Sequence, residues 1–453
     1  MSNELLLLVA VGAPLVFFLL MGMGWLLGWT PSERTVARST VVTFAGASVS
    51  VALLARTMAI AGWAPIRVEL GHWFSVGGYS FPLTLLADPL SLPLLALTIV
   101  LAGVIASFSF RYLHRDSGYF RFFVCLHLFT FGAALSFTAG SFDLLIAGWE
   151  TVGLTSVLLI AFFNERPDPV RNSLRVFAVY KVTDIGLVVG VFLLHHFAGS
   201  VSAHGMVTGE WPVSGAALSI PAATLVGLLL VFAAAGKSAQ FPFSGWLPRA
   251  MEGPTPSSAI FYGAIAVHLG IYLLLRAEPI LQASPYLPAI VVVLGLFTAL
   301  QATLSGRAAT DAKTLLSYAA LAQVGVIFME VGFGLERIAL IHMIGHATVR
   351  TLQFLRAPSM LHDYHRVHAA AGGHLAKTGA HYEAVLPEGL RSWLYRLALD
   401  RCHLDTMLDR FVAGPFIASA ERLAALDRGE RRQPSPKIIP RRNRPELIGD
   451  LDV

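Results

Sequence analysis

The sequence predicts an all-α polytopic membrane protein, and three observations carry that prediction. Of its 453 residues, 55% are hydrophobic and only 13% charged, with a mean hydropathy of +0.65; soluble domains carry about 25% charged residues. Apolar runs of spanning length, roughly 20 residues each, recur along the chain. The basic residues gather in the connections between runs rather than on one soluble face.

The runs fall at 4–28, 38–62, 85–109, 120–139, 141–163, 174–197, 221–247, 255–276, 286–305, 313–333 and 336–357, eleven in all. The N-terminus has no basic stretch and no small-residue cleavage site ahead of its first run, so that run is expected to stay as a span. Arg34, Arg38, Arg111, Arg115, Arg121, Arg166, Arg171, Arg175, Arg249, Arg307 and Lys313 all fall on one side of such a count. The other side carries little beyond Arg67, Arg276 and Arg337. The positive-inside bias then places the N-terminus outside and the C-terminus in the cytoplasm of a bacterial inner membrane.

Two stretches are not spans. VELGHWFSVGGYSFP (68–82) alternates around Gly-Gly and predicts a short hairpin on the outer face. After about His362 the composition turns polar, which divides the chain into a membrane domain, 1–362, and a cytoplasmic tail, 363–453. Apolar residues at helical spacing between Leu390 and Leu426 predict amphipathic helices lying on the membrane or against a partner. The Pro- and Arg-rich run after Arg428 predicts an extended arm.

Composition also excludes functions. Cys125 and Cys402 are too few for an iron–sulfur cluster, which takes about four thiolates, and too far apart in the chain to suggest a disulfide. The formal net charge of +5 is a topology signal rather than a nucleic-acid footprint. Cys402 and His403 are adjacent but lack companions for zinc, so no cofactor is expected in this chain.

The passage AAAGKSAQFPFSGWLPRAMEGPTPSSAIFYG (233–263) places Lys237 inside an apolar run, with Pro242 five residues on. A charge at mid-membrane depth costs about 2.5–3.5 kcal/mol on insertion scales and marks an ion pathway when it is paired. A proline there frees a backbone carbonyl that protein or a wet cavity must satisfy, so a broken helix is expected around Lys237–Pro242. A lysine snorkelling from a helix end is the plainer alternative, but the run from Pro221 past Phe243 puts Lys237 near mid-span.

Other charges sit equally deep. Glu150 lies beside Trp149 in LLIAGWETVGLTSVLLIAFF; Lys181 and Asp184 share a helix face; His342, His346 and Arg350 form one polar stripe; His268 lies in the eighth run. Such groups suit a proton relay, because imidazole exchanges protons near neutral pH and a nearby carboxylate controls the proton affinity of a buried lysine. Lys181 and Asp184 also fit a static ion pair. His342 and His346 fit a metal pair at i, i+4, for which no third ligand is apparent. His362, His365 and His368 read as surface histidines.

GKSAQFPFSGWLPRAMEGPTPSS resembles the central signature of the antiporter-like membrane subunits of respiratory complex I and of multisubunit cation/proton antiporters. LLIAGWETVGLTSVLLIAFF, FAVYKVTDIG, DAKTLLSYAALAQVG and HMIGHATVRTLQFL resemble successive helices of the same family, over most of 66–362. HLDTMLDRFVAGPFIASAERLAALDR is similar to the end of its large L-type subunit. The resemblance implies that Glu150 and Lys237 are a coupled ion pair, with Lys181, Asp184, Lys313, His342 and His346 on the polar axis. Arg350 stands where lysine is usual. Arginine keeps its proton, so Arg350 is implied to gate or counter-charge. Tyr262 stands where histidine is frequent, and His268 follows about two turns later, which implies a re-routed relay.

Family members carry further membrane helices where this sequence turns polar after His362, which implies an incomplete second half-channel. The tail and the VHLG segment are most similar to the DabB-type membrane subunits of DAB inorganic-carbon uptake complexes. That likeness implies conduction of H⁺ or Na⁺ across the lipid bilayer, coupled to a large cytoplasmic DabA-type partner, a zinc-dependent carbonic-anhydrase-like subunit docked on the tail. The alternatives are a proton-pumping subunit of a respiratory or hydrogenase complex, a multisubunit cation/proton antiporter, or a scaffold whose buried charges are static. In each case the chain is a transport or structural subunit rather than an enzyme.

Overall fold

The structure is a computed structural model, and it describes residues 2–76, 79–198, 218–309, 311–357 and 385–427. The tail histidines His362, His365 and His368, the 362/363 domain boundary, the arm after Arg428 and the Tyr262 side chain lie outside the described residues.

The chain is a bundle of long helices with one hairpin at one end. In order these are α1 (Asn3–Leu26), α2 (Glu33–Ile60), β1 (Ile66–Val76), β2 (Tyr79–Ala87), α3 (Ser91–Tyr112), α4 (Tyr119–Thr138), α5 (Phe142–Ile160), α6 (Pro167–Ala198) and α7 (Ile220–Lys237). Then come α8 (His268–Arg276), α9 (Leu287–Gly306), α10 (Ala312–Gly332), α11 (Glu336–Arg356), α12 (Glu388–Leu399) and α13 (Gly414–Asp427). Helix starts are set locally. Ser2, Ser32, Ser141, Ser219 and Asp311 each accept a backbone N–H from the first turn of α1, α2, α5, α7 and α10.

Helical segments occupy all eleven expected positions. Among the described residues, nine of them are long and apolar enough to cross a membrane: α1 to α7, α9 and α10. The chain is a polytopic all-α membrane protein. The other two positions differ for physical reasons. α11 is long enough but carries Glu336, Arg337, His342, His346, Arg350 and Arg356 along its length. The run at 255–276 is broken into a turn of helix at Thr255–Ser258, a π-helical stretch at Ala259–Ala264 and then α8.

One further expectation is corrected. The hairpin is longer than 68–82. β1 and β2 pair antiparallel from Ile66 opposite Ala87 to Val76 opposite Tyr79, so the third span begins at Ser91 rather than residue 85. The run at 221–247 is broken around Lys237–Pro242 as expected: α7 stops at Lys237, before the proline. Gln240 N–H donates to the Ala235 carbonyl (2.8 Å) and Ala239 N–H to that of Gly236 (3.3 Å), with Ala239 at φ +52°. This is the Schellman arrangement that closes helices on a left-handed residue. Here that residue is alanine rather than glycine, a conformation that costs about 1–2 kcal/mol. Pro242 lies in the loop beyond.

Small residues let the bundle close. A Cβ on Gly325 of α10 would stand 2.6 Å from the Gly295 carbonyl of α9, so these two backbones touch. The described part of the tail packs back on the bundle. Asp405 accepts from Arg249 Nε (3.0 Å) and NH2 (2.7 Å) and from Arg401 (3.0 Å); Asp409 pairs with Arg175. Leu408 is buried near Gly245. Trp393, Tyr395 and Phe411 remain exposed.

Candidate functional site: a line of buried charges

The site starts at the end of α7. Lys237 is fully buried, and its place in the last helical turn sets its charge against the negative end of the helix dipole. Its Nζ donates to the Trp149 carbonyl of α5 (3.1 Å) and lies 4.7 Å from the Trp149 ring and 4.3 Å from the Tyr180 ring. Two aromatic faces thus shelter the ammonium. Gly153 provides the room: a Cβ there would stand 3.0 Å from Nζ.

Glu150 and Lys237, implied to be a coupled pair, do not form a salt bridge among the described residues. Glu150 pairs with Lys181 of α6. Both project into the α5–α6 seam, where their side chains keep 35% and 37% of their exposure, whereas Lys237 enters from α7 on the buried side. Lys181 also lies 3.7 Å from Asp184, which is itself buried. Trp149 links the two halves: its Nε1 donates to Asp184 (2.6 Å) while its carbonyl receives Lys237. Glu150, Lys181, Asp184 and Lys237 therefore form one cluster, with Lys181 poised between two carboxylates.

The stripe of α11 does not act as a unit. His346 turns inward, its Nδ1 2.9 Å from His268 Nε2 at the start of α8. His342 turns to α10, with Nδ1 2.8 Å from Glu330 and Nε2 3.1 Å from Gln323. Arg350 donates to the Ala319 carbonyl (3.0 Å) and to Gln353 (2.7 Å). Lys313 donates to the Gly253 carbonyl (3.1 Å), which ties the start of α10 to the loop after α7. A second cluster, His268–His346 with His342–Glu330–Gln323 beside it, thus follows the first. Ser238, next to Lys237, donates to the Val267 carbonyl (2.6 Å) and so joins the break in α7 to the start of α8.

Sequence reading missed Glu330, although it sits in the apolar run IFMEVGF and the test that found Glu150 would have found it. It also missed Tyr180 as a wall of the Lys237 cage; a lone tyrosine in a helix gives no such signal. Arg276, read as a loop base, is buried and pairs with Asp88 (2.5 and 2.9 Å).

Residues 139–385 match the family described as NADH:quinone oxidoreductase/Mrp antiporter, TM, which is more than half of the chain. The chain belongs to this family. Residues 73–123 match a second family, the N-terminus of complex I chain 5. Subunit L of NADH-quinone oxidoreductase from Neisseria meningitidis is 31% identical over 344 residues, 73% of this chain and 50% of that one. Chain 5 of NADH-ubiquinone oxidoreductase from Cryptococcus neoformans is 32% identical over 298 residues, 66% and 44% respectively. The chain spans about half the length of the curated relatives it matches. Among solved structures, the Mrp complex from Dietzia sp. DQ12-45-1b superposes with a TM-score of 0.65 at 26% identity, over 78% of this chain and 37% of that one. The membrane-bound sulfane sulfur reductase, an archaeal respiratory membrane complex, gives the same TM-score at 19% identity, over 78% and 70%, and so shares the fold. Within the NADH:quinone oxidoreductase/Mrp antiporter family match fall Glu150, Lys181, Asp184, Lys237, His268, Lys313, His342, His346 and Arg350.

Proposed function

We propose that this chain conducts a coupling cation, H⁺ in the leading reading, as a non-catalytic membrane subunit of a multisubunit complex. The observation that carries the reading is Lys237, wholly buried at a helix break and joined through Trp149 to the Glu150–Lys181–Asp184 group. Lys181 has two carboxylates within reach. When it moves from Glu150 toward Asp184, the negative charge facing Lys237 falls, and the ammonium gives up its proton more readily. Movement back restores it. The His268–His346 pair and the His342–Glu330 pair extend the route. Among the described residues, Asp184 Oδ2, His346 Nε2 and Glu330 Oε2 are buried without a hydrogen-bond partner. Buried polar atoms of this kind take water or a mobile proton.

Orientation follows from charge. Arg111, Arg115, Arg121, Arg166, Arg171, Arg175, Arg249, Arg307 and Lys313 lie toward the end opposite the hairpin, so the hairpin faces outward and the tail inward. In our reading residues 1–362 form the conducting domain, and 363–453 form a tail that docks a cytoplasmic partner. The Trp393, Tyr395 and Phe411 side chains left exposed on the tail support that role.

The likeness of the tail and the VHLG segment to DabB-type subunits supports a first reading, a complex for inorganic-carbon uptake with a zinc-dependent carbonic-anhydrase-like DabA-type partner. The relatives favour a second reading, since those named above belong to NADH–quinone oxidoreductases and an Mrp complex. In that reading the chain serves a redox-driven pump or an antiporter. Affinity purification decides between them: a zinc protein on the tail supports the first, iron–sulfur or antiporter subunits the second. Lys237→Ala, in the assembled complex reconstituted into vesicles, is expected to lower cation flux by about a hundredfold or more, on the scale of a lost proton-transfer group. Unchanged flux would remove Lys237 from the route.

A further inference from the structure

A second titratable pair lies on the same two helices and has no part in the site above. His195 Nε2, near the end of α6, stands 3.0 Å from both carboxylate oxygens of Asp143 in the first turn of α5. Their side chains retain only 8% and 15% exposure. β2 covers them: the Phe81 ring lies 5.6 Å from the imidazole, and the Gly140 N–H, just before α5, donates to the Thr84 carbonyl (2.8 Å). On α6 itself, His196 turns to the ring of Phe197. The pair therefore sits at the hairpin end of the α5–α6 seam, just under the surface.

Its placement relative to the inner cluster is regular. Asp143 and Glu150 are two turns apart on α5, about 10 Å, and Asp184 and His195 three turns apart on α6, about 16 Å, so each pair shares a helix face. Between the layers lie Ala147 of α5 and Leu187 and Val191 of α6, an apolar step that a proton crosses only when water enters it.

We propose that Asp143 and His195 form the proton port at the hairpin face, exchanging protons between bulk water and the Glu150–Lys181–Asp184 layer. An imidazole hydrogen-bonded to a carboxylate suits that task. Its ring nitrogens can both accept and donate a proton, and the carboxylate holds the imidazolium without further rearrangement. One proton enters the pair from the inner layer, giving imidazolium opposite carboxylate, and one leaves to water at the hairpin face; only N–H and O–H bonds form and break. The inference rests on conduction through the inner cluster, and its test separates the two.

The test uses the assembled complex in vesicles sorted by orientation, with proton flux driven by a potassium diffusion potential. His195→Gln is expected to lower flux by about tenfold or more and to abolish its response to pH on the hairpin side, while the response to pH on the tail side persists. Imidazole added on the hairpin side is expected to restore flux to His195→Gly. Flux and hairpin-side response unchanged in His195→Gln would overturn the port. So would flux that falls with no imidazole rescue and an unaltered pH response, the mark of a structural tie. Where the histidine variants fail to assemble, Asp143→Asn keeps the side chain's shape and reads the same hairpin-side response: its loss supports the port, and its persistence overturns it. Glu150→Gln is the control. If it leaves flux intact, the inner route fails; if it abolishes flux while His195→Gln does not, only the port fails.

Discussion

Two buried ion clusters in this chain are built in opposite ways. At the hairpin end, Arg276 grips Asp88 with both terminal nitrogens, and its Nε donates to the Tyr272 hydroxyl (2.8 Å), which donates on to the Phe137 carbonyl (2.5 Å). Asp88 also accepts from the Leu90 and Ser91 N–H groups at the start of α3. Donors and acceptors are matched on every side, and both charged side chains are about 2% exposed or less. The Glu150–Lys181–Asp184–Lys237 cluster likewise balances acids against bases, two of each, but lacks the same closure. Lys181 is shared unequally, Asp184 Oδ2 makes no hydrogen bond, and Lys237 meets a carbonyl and two rings rather than a carboxylate. A bidentate, saturated pair has one arrangement, whereas an under-partnered one has several of similar energy. The first suits a fixed structural tie, and the second suits the charge movement proposed above.

The sharpest way to break the comparison is to remove half of the closed pair. Arg276→Met leaves Asp88 charged in a dry site and is expected to destabilise the protein by roughly 3–5 kcal/mol. Thermal unfolding in detergent and the yield of folded protein measure this. Asp88→Leu combined with Arg276→Met is expected to recover much of the loss, because no charge is then stranded. Flux per folded molecule should change little in either variant. A large flux defect in a well-folded double variant would mean that this pair also belongs to the route.

The open cluster should respond the other way. Lys181→Met leaves Glu150 without its partner, but Glu150 keeps 35% of its exposure and can be neutralised by a proton instead of being stranded as a sealed charge, so the loss of stability is expected to be smaller than that of Arg276→Met. Flux is expected to fall by about tenfold or more, since the mobile charge between Glu150 and Asp184 is gone. A variant that melts early but conducts normally would exchange the roles assigned to the two clusters.

Much of this was legible in the sequence, and the limits are instructive. An ionisable residue within an apolar run is visible by composition alone, and Glu150, Lys181, Asp184, Lys237, His342 and His346 were all found that way. Which of them pair is a property of helix rotation. Glu150 is matched to Lys237 in the sequence, whereas α5 and α6 turn Glu150 and Lys181 into one seam. The break in α7 was expected from Pro242, but the chain stops earlier through a left-handed alanine, a state that sequence propensity disfavours. Arg276 was misread because proximity to a loop in sequence does not imply exposure.

The smallest expected effect tests how much freedom the Lys237 amine has. Gly153→Ala would bring a methyl to 3.0 Å from Nζ and 3.5 Å from the Tyr180 ring. Alanine favours a helix interior over glycine by about 0.8–1 kcal/mol, which offsets some of the crowding, so stability is expected to change by less than about 1 kcal/mol. The amine cannot retreat far, because Trp149 and Tyr180 enclose it. Its excursions between the Trp149 carbonyl and the carboxylate side are therefore shortened, and flux is expected to fall a few-fold with little change in melting. The same substitution beside a static charge would alter neither. Undiminished flux in Gly153→Ala would mean that the lysine conducts without using that space, and the proposed movement of charge through the seam would have to run through Lys181 alone.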